Sequence, residues 1–275
     1  MTQIQTASQS ASGRFIGAET VPAGGRVLVV GASGSIGRHA VRAALAAGLR
    51  TRALVRDDSK AGMFPDEVEV IVADTSRPET LGRAVDGVHG VVLTQGTYDE
   101  SEARQANYLP VLSVLRVLAV LRRPARIALM TTVGATKPTV GHDWKRRGER
   151  LVRASGLPYT IVRPGWFDYN EADELALVMR QGDTQWTGSP ADGVVSRAQI
   201  AQVLVASLRS TAATGKTLEL VATTGQATRD LEPLFAALEV DTGLEGVHDR
   251  DTLPLASEPE DVRQALEAMT GAFIA

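Results

Sequence analysis

The chain has 275 residues, a formal net charge of -3 at pH 7 and no cysteine. The length suits one large α/β domain or a domain with an appended lobe, and the charge gives no reason to expect a nucleic acid or a membrane as partner. Disulfides, thiolate metal ligands and a cysteine nucleophile are excluded, and we expect a cytoplasmic protein. The longest apolar tract, residues 109–121, is interrupted by proline and polar residues and is too short to span a bilayer.

Residues 1–25 are predicted to form a flexible N-terminal tail. They are rich in Ser, Thr, Gln, Ala and Gly. They lack the basic start and the apolar segment of a secretory signal, so we do not expect export.

A glycine-rich turn at residues 31–37 joins a predicted buried strand at 26–30 to a predicted helix over 38–48. Its first glycine allows a sharp turn, its second leaves room for a pyrophosphate, and its third lets the helix pack close to the sheet. The free N–H groups of the first helical turn then face the phosphates. The predicted phosphate ligands are Gly31, Ser33, Gly34, Ser35, Ile36 and Gly37. The alternative is a strand-to-helix turn that binds nothing.

The end of the second predicted strand, residues 51–56, indicates which dinucleotide binds. An NAD site carries a carboxylate roughly twenty residues past the glycines, but Arg56 stands here, with Lys60 nearby. A cation suits the 2′-phosphate of NADP, so NADP(H) is favoured over NAD(H). The alternative role of Arg56 is a solvated loop charge, since Asp57 and Asp58 follow it.

Further strands are predicted at residues 68–73, 90–96 and 126–132. Their alternation with helices indicates a parallel sheet with right-handed crossovers, in which ligands bind at the carboxyl ends of the strands. Asp74 is expected there beside the adenine, or else as a turn or helix cap. Also at these ends are Thr94, Gln95 and Gly96, expected near the nicotinamide half of the cofactor, and the hydroxyls of Thr131 and Thr132.

The helix predicted over residues 100–121 is apolar nearly all round in its second half. It therefore needs cover from the sheet and from either another helix or a second subunit. We expect cover from within the chain, and a homodimer is the alternative. The later predicted elements are a helix at 141–156, a strand at 158–163, a loop or short hairpin over the pocket at 181–195, a helix at 197–208, a strand at 217–221, and helices near 230–238 and 259–269.

With these motifs, Lys145 and the segment Ser155-Gly-Leu-Pro-Tyr-Thr-Ile-Val-Arg-Pro-Gly165 in order, the chain resembles the atypical short-chain dehydrogenase/reductases, and among them the NmrA-like branch. The resemblance covers about residues 26–221. It implies a Rossmann-type, doubly wound parallel sheet in an NAD(P)-binding domain over 26–222. Residues 223–275 do not match the family, and we expect them to form a helical extension that packs on the same domain and covers the substrate. The resemblance further implies cofactor contacts at Pro164, Gly165 and Trp166.

The resemblance also implies a reactive set of a Ser or Thr at the end of the fifth strand, a Tyr, and a Lys four residues after that Tyr. The hydroxyl corresponds to Thr132 or Thr131 and the Lys to Lys145, which would hold the cofactor ribose. The Tyr position is Gly141, and no lysine of the chain has a tyrosine four residues before it. The usual pair is therefore absent.

Two other residues are candidates for the missing acid. His142 lies three residues before Lys145 and would share a helix face with it. Tyr169 follows the Pro164-Gly165 turn. Their alternative roles are a solvated cap and a packing residue.

Three functions remain open. The first is an NADP(H)-dependent reductase of a small carbonyl, enone or quinone, with Trp166, Phe167 and Trp186 as an apolar wall for the substrate. The second is a dinucleotide-binding redox sensor without catalysis, and the third is an epimerase or dehydratase. No metal is expected, because no two histidines lie at ligand spacing.

Overall fold

One mainly parallel sheet forms the centre of the protein, and its strand order is that of a doubly wound fold. A computed structural model describes residues 15–273. Their strands are β1 (Arg26–Val30), β2 (Arg50–Val55), β3 (Glu69–Val72), β4 (Gly90–Leu93), β5 (Arg126–Met130), β6 (Tyr159–Pro164), β7 (Trp166–Phe167), β8 (Ala176–Arg180), β9 (Val194–Val195) and β10 (Lys216–Thr223). The order β3-β2-β1-β4-β5-β6 is parallel throughout, and β10 joins β6 in parallel. The Rossmann-type fold predicted from the sequence is confirmed.

Helices cover both faces of this sheet, which is why β1, β4 and β5 are apolar after their first residues. They are α1 (Gly37–Ala46), α2 (Gly82–Val85), α3 (Leu109–Val120), α4 (Val140–Ala154), α5 (Arg197–Ser207), α6 (Glu232–Ala236) and α7 (Glu260–Met269). Helices α2, α3, α4 and α7 share one apolar core with the sheet, and α1, α5 and α6 share the other. Only the ends of the strands are left for a ligand.

The single helix predicted over residues 100–121 is divided into three pieces. A 3₁₀ turn at Glu100–Glu102 and a π-helical turn at Arg104–Tyr108 precede α3. Pro110 lies in the first turn of α3 and has no N–H to continue an α-helical ladder from the preceding residues. Helix α7 packs on α3 and α4, so the cover for the apolar residues up to Leu118 comes from the same chain, whereas Val120 is exposed.

Part of the segment predicted as a flexible tail packs on the domain. Val21 is buried, and its N–H donates to the Leu208 carbonyl over 2.8 Å. The Phe15 ring lies edge-on to Tyr159 with centroids 5.9 Å apart. Apolar side chains of residues 15–25 therefore pack on the domain, and the rest of the predicted tail, residues 1–14, lies outside the described residues.

The segment between β6 and β10 contains three short strands that the sequence pattern does not reveal. Strand β8 runs antiparallel to β10, with Met179 opposite Leu220, and β9 pairs with both β10 and β7. The stretch predicted as a loop or hairpin, residues 181–195, is irregular up to β9 apart from a 3₁₀ turn at Pro190–Asp192. Strands β7 and β9 have only two residues each, too few for an alternation to be recognised.

A set of buried ion pairs attaches the C-terminal residues to helix α4. Four arginines of α4 are buried, and their carboxylate partners in the C-terminal segment are Glu245, Glu258 and Asp241. Arg150 contacts both Glu245 and Glu258. The segment after β10 thus packs on the same domain through charge pairs as well as through the apolar side of α7.

Replacing Gly37 with Ala is expected to lower the free energy of unfolding by about 2 kcal/mol or more. A Cβ on Gly37 would lie far inside contact distance of the Gly31 carbonyl oxygen, and that backbone cannot move without displacing β1. Urea denaturation measures the effect. The matched control is Gly82→Ala, because a Cβ on Gly82 meets no atom within 4 Å and should change stability by less than about 1 kcal/mol. Equal stability of the two variants would contradict this packing.

Candidate functional site

A cavity of about 540 Å³ lies along the carboxyl ends of β1 to β5. Twelve of the residues predicted to bind a cofactor line it: Gly31, Ser33, Gly34, Ser35, Ile36, Arg56, Asp74, Thr94, Gln95, Gly96, Thr131 and Lys145. A second cavity of about 60 Å³ is lined by four more predicted residues, Thr132, His142, Gly165 and Trp166. Gly37 and Pro164 line neither cavity, since Gly37 contacts the Gly31 backbone and Pro164 ends strand β6.

The glycine turn forms the floor of the larger cavity. Gly31 has φ +79°, and a Cβ there would lie 3.0 Å from the Gln95 amide nitrogen. The Gly34 N–H closes the turn by donating to the Gly31 carbonyl over 2.9 Å, whereas the amides of Ser35 and Ile36 donate to no acceptor within residues 15–273. Backbone N–H groups without partners at a helix start fit the diphosphate of a dinucleotide.

Arg56 and Asp74 lie at the end of the cavity formed by β2 and β3. Arg56 is exposed, and no described residue forms a hydrogen bond or ion pair with its guanidinium at contact distance. The Asp57 carboxylate instead accepts from the Ser59 N–H over 2.8 Å. Asp74 accepts from the Ser76 N–H over 2.9 Å, so it closes a turn and also lines the cavity. These residues fit the adenosine half of the cofactor, with Arg56 free to meet a phosphate.

Lys145 enters the larger cavity from helix α4 at the opposite end. Its side chain is buried, and its Nζ donates to Asn107 Oδ1 over 3.2 Å. Burial lowers the pKa of Lys145 to about 8, although the Glu149 carboxylate opposes this shift. The ammonium is therefore the main form at pH 7, and it is a strong donor for ribose hydroxyls because few water molecules surround it.

The two neighbouring threonines at the end of β5 differ in what their hydroxyls contact. Thr131 Oγ1 donates to Glu149 Oε1 over 2.6 Å, and this fully buried carboxylate also receives Arg163 Nη2 at 2.6 Å. Burial raises the pKa of Glu149, but the charge of Arg163 outweighs it and the net shift is downward. The Thr131 hydroxyl proton is thus already donated to Glu149, whereas Thr132 lines the smaller cavity. Of the two predicted hydroxyls, Thr132 has the better position for chemistry.

His142 lines the smaller cavity but lacks the charge expected of an acid. Burial, followed by the positive charge of Lys145, lowers its pKa below the usual 6.5. The imidazole is therefore neutral at pH 7 and holds no extra proton to donate. Its buried Nδ1 has no partner among the described residues.

Tyr169 and Trp166 form an aromatic pair at the rim of the smaller cavity. Their ring centroids are 5.8 Å apart in an edge-on arrangement, and Tyr169 itself lines neither cavity. Trp186 lines the smaller cavity together with Trp166, whereas Phe167 lines the larger one. The predicted aromatic wall is thus divided between the two cavities.

A family model described as NAD(P)H-binding matches residues 31–211, which is more than half of the chain. The chain belongs to this NAD(P)H-binding family. The prediction of an atypical short-chain dehydrogenase/reductase is thereby confirmed. The matched range of this NAD(P)H-binding protein includes the glycine turn and all of α4. It also includes the residues after β4 and β5 that line the two cavities.

Similar proteins include an NAD(P)H azoreductase of Xenophilus azovorans, which is 30% identical over 173 residues, covering 58% of this chain and 58% of that protein. Among solved structures, one similar protein is a Bacillus halodurans protein provisionally assigned as an NAD-dependent epimerase/dehydratase. Its TM-score is 0.67 at 20% identity, and the alignment covers 78% of this chain and 100% of the Bacillus chain. A short-chain dehydrogenase/reductase of Veillonella parvula in complex with NADP has a TM-score of 0.56 at 17% identity, with coverage of 72% and 94%. The chain spans 39% to 58% of the length of the first curated relatives.

Several site residues of this NAD(P)H-binding protein were missed by the sequence analysis, among them Tyr98 and Arg197, which line the larger cavity, and Asn107, which contacts Lys145. Tyr98 belongs to the loop after β4, Arg197 begins α5, and Asn107 lies in the π-helical turn. Arg197 forms an ion pair with Asp168 and lies 5.6 Å from the Phe167 ring centroid. Tyr98 alone had a signal, since it follows a strand end in a short polar loop.

None of the helices in residues 15–273 is both long and apolar enough to cross a membrane. In the same range, no three His, Asp or Glu side chains group closely enough to hold a metal ion.

The affinity for NADPH is expected to fall several-fold, by about 1 kcal/mol, as the pH rises from 7 to above 9. Lys145 has a pKa of about 8, so its ammonium is lost over this range and no longer donates to the cofactor. Calorimetric titration at several pH values measures this. The loss of affinity should vanish in Lys145→Met and persist in Lys60→Met, which lies outside both cavities. The same pH dependence in Lys145→Met would contradict the assignment.

Proposed function

We propose that this protein is an NADP(H)-dependent reductase of a small carbonyl, enone or quinone. The observation that carries the proposal is the position of Lys145. Its ammonium lies at the end of the larger cavity, beside Tyr98 of the loop after β4, and Tyr98 also lines the smaller cavity. A nicotinamide ring at that end would be next to a separate, partly apolar space for a second molecule. When bound, the reduced nicotinamide supplies a hydride.

The residues of the chain would divide the work between binding and chemistry. The turn at Gly31, Ser33, Gly34, Ser35 and Ile36 holds the diphosphate, and Lys145 holds the ribose on the nicotinamide side. Thr132 would donate a hydrogen bond to the substrate oxygen in the smaller cavity. Trp166 and Trp186 exclude water from that oxygen and favour a flat substrate.

The azoreductase relative supports a reductase and adds azo compounds to the substrates worth testing. The chain matches 58% of that relative, so its substrate is a proposal for this protein and nothing more. The cytoplasmic location and the absence of nucleic-acid and membrane partners stay predictions, as does a homodimer.

Preference for NADPH over NADH is expected to depend on Arg56. Arg56→Ala should weaken NADPH about tenfold, which is about 1.4 kcal/mol, and leave NADH unchanged, because only NADPH has a 2′-phosphate for the guanidinium to bind. Calorimetric titration with both cofactors measures this. Lys60→Ala is the matched control, since it removes a nearby charge that does not line the cavity. Equal losses for NADPH and NADH would contradict the role of Arg56.

Turnover is tested by NADPH oxidation at 340 nm against a panel of quinones, enones, aldehydes and azo compounds. We expect the wild-type protein to reduce at least one class, and Lys145→Ala to lower kcat/KM by about 100-fold or more. Lys137→Ala is a comparison variant, because Lys137 lines only the smaller cavity and its ammonium donates to the Trp186 carbonyl over 3.1 Å. Its effect should fall on KM for the substrate.

The second candidate function is a redox sensor that binds the nucleotide without catalysis. The observation that favours it is Gly141 at the position of the family's tyrosine. Tight NADPH binding combined with no turnover of any panel member would support the sensor and reject the reductase.

A further inference from the structure

Neither acid predicted from the sequence is suited to donate a proton in this site. His142 is neutral at pH 7, and Tyr169 lines neither cavity. At Gly141, where the family carries its tyrosine, an added Cβ would meet no atom within 4 Å. Position 141 therefore has room for a Cβ, but the glycine carries no side chain there.

Tyr98 approaches Lys145 from a different element. It belongs to the loop after β4, and it lines both the larger and the smaller cavity. The Lys145 ammonium lies over its ring, 5.4 Å from the centroid. A phenol is thus held beside the same lysine as in the usual pair, although it comes from another part of the chain.

One asparagine fixes this loop to the start of helix α4. Asn107 Oδ1 accepts from the Thr97 N–H over 2.9 Å and from Lys145 Nζ over 3.2 Å. Its Nδ2 donates to the carbonyl oxygens of Thr97 and Gly141 over 3.3 and 3.4 Å. Thr97, the residue before Tyr98, is therefore linked through Asn107 to both Lys145 and Gly141, and this fixes the position of the Tyr98 backbone.

We propose that Tyr98 is the catalytic acid that replaces the tyrosine missing at position 141. The inference rests on the proposed reductase function. In the reduction step, the two electrons of the C–H bond broken on NADPH form the new bond to the substrate, and the Tyr98 O–H bond breaks to give its proton to the substrate oxygen. The products are NADP⁺, the reduced substrate and a phenolate.

The phenolate then regains its proton from Lys145 or from water. Tyr98 is 70% exposed, so bulk water reaches it between turnovers. Lys145, with a pKa of about 8, keeps a positive charge beside the ring at neutral pH and stabilises the phenolate as it forms. The arrangement needs no residue at position 141.

Kinetics of Tyr98→Phe provide the first test, on whichever substrate the wild-type protein reduces. The phenylalanine keeps the ring and its contact with the Lys145 ammonium but removes the proton, so we expect kcat to fall about 100-fold or more with NADPH affinity unchanged within about twofold. Tyr169→Phe is the matched control and should retain wild-type kcat. Wild-type kcat in Tyr98→Phe would overturn the role of Tyr98 and leave the reductase standing.

A second test needs no substrate and no cofactor. The chain has four tyrosines, so carbon-13 labelling at the tyrosine Cζ gives four NMR signals, assigned with the two Phe variants. The Tyr98 signal should shift with a midpoint near pH 8 as Lys145 titrates, and this step should vanish in Lys145→Met. The Tyr169 signal should show no such step. A Tyr98 signal that does not respond to Lys145 would overturn the pairing of Tyr98 with Lys145, whether or not the protein reduces a substrate. A wild-type protein that reduces no substrate would overturn both the acid role of Tyr98 and the reductase function.

Discussion

The close approach of helix α1 to the end of strand β1 is the constraint on which the nucleotide site depends. Gly37 lies against the Gly31 carbonyl where no side chain would fit, so α1 starts directly beneath the strand end. This brings the unpartnered amides of Ser35 and Ile36 to the cavity floor, and the N-terminal end of the helix dipole points the same way. The parallel sheet positions the lining residues at the other strand ends relative to this turn.

Helix α4 is the second fixed element, and buried charge holds it. One side of the helix carries arginines paired with carboxylates of the C-terminal segment, and Arg163 of β6 joins Glu149 to Asp249. Burial raises the pKa of Asp249, but the charge of Arg163 lowers it to about 2, so the pair stays ionised at neutral pH. Removing one partner would leave a buried charge without compensation, which is costly. The same helix presents Lys145 to the cavity, so the C-terminal segment supports the site without lining it.

Local patterns predicted the strands that carry the cofactor site well, because each is short, apolar and followed by a turn. Strand β1 matches its predicted bounds, and the residues after β1, β2, β3, β4 and β5 line the cavity as expected from parallel strand ends. What could not be predicted depends on contacts distant in sequence. Asn107 meets Lys145 across 38 positions, and Arg163 meets Asp249 across 86.

Dependence on contacts distant in sequence also explains why the sequence pointed to His142 as an acid and not to Tyr98. His142 has the right spacing from Lys145, but spacing alone does not reveal that burial keeps its imidazole neutral. Tyr98 is remote from Lys145 in sequence, and only the fold brings the loop after β4 against α4. The family pattern places tyrosine and lysine four residues apart on one helix, whereas the proposed pair, Tyr98 and Lys145, comes from two elements that Asn107 joins.

The most direct test of the account is an NMR titration of the nitrogen-15-labelled protein with NADP⁺. A diphosphate bound at the glycine turn predicts that the amide signals of residues 33–37 move most, and that they saturate at one nucleotide per chain. The claim that the diphosphate binds at the glycine turn would be contradicted if the signals of residues 33–37 stay in place. This holds whether no nucleotide binds or the shifts lie on another face of the molecule.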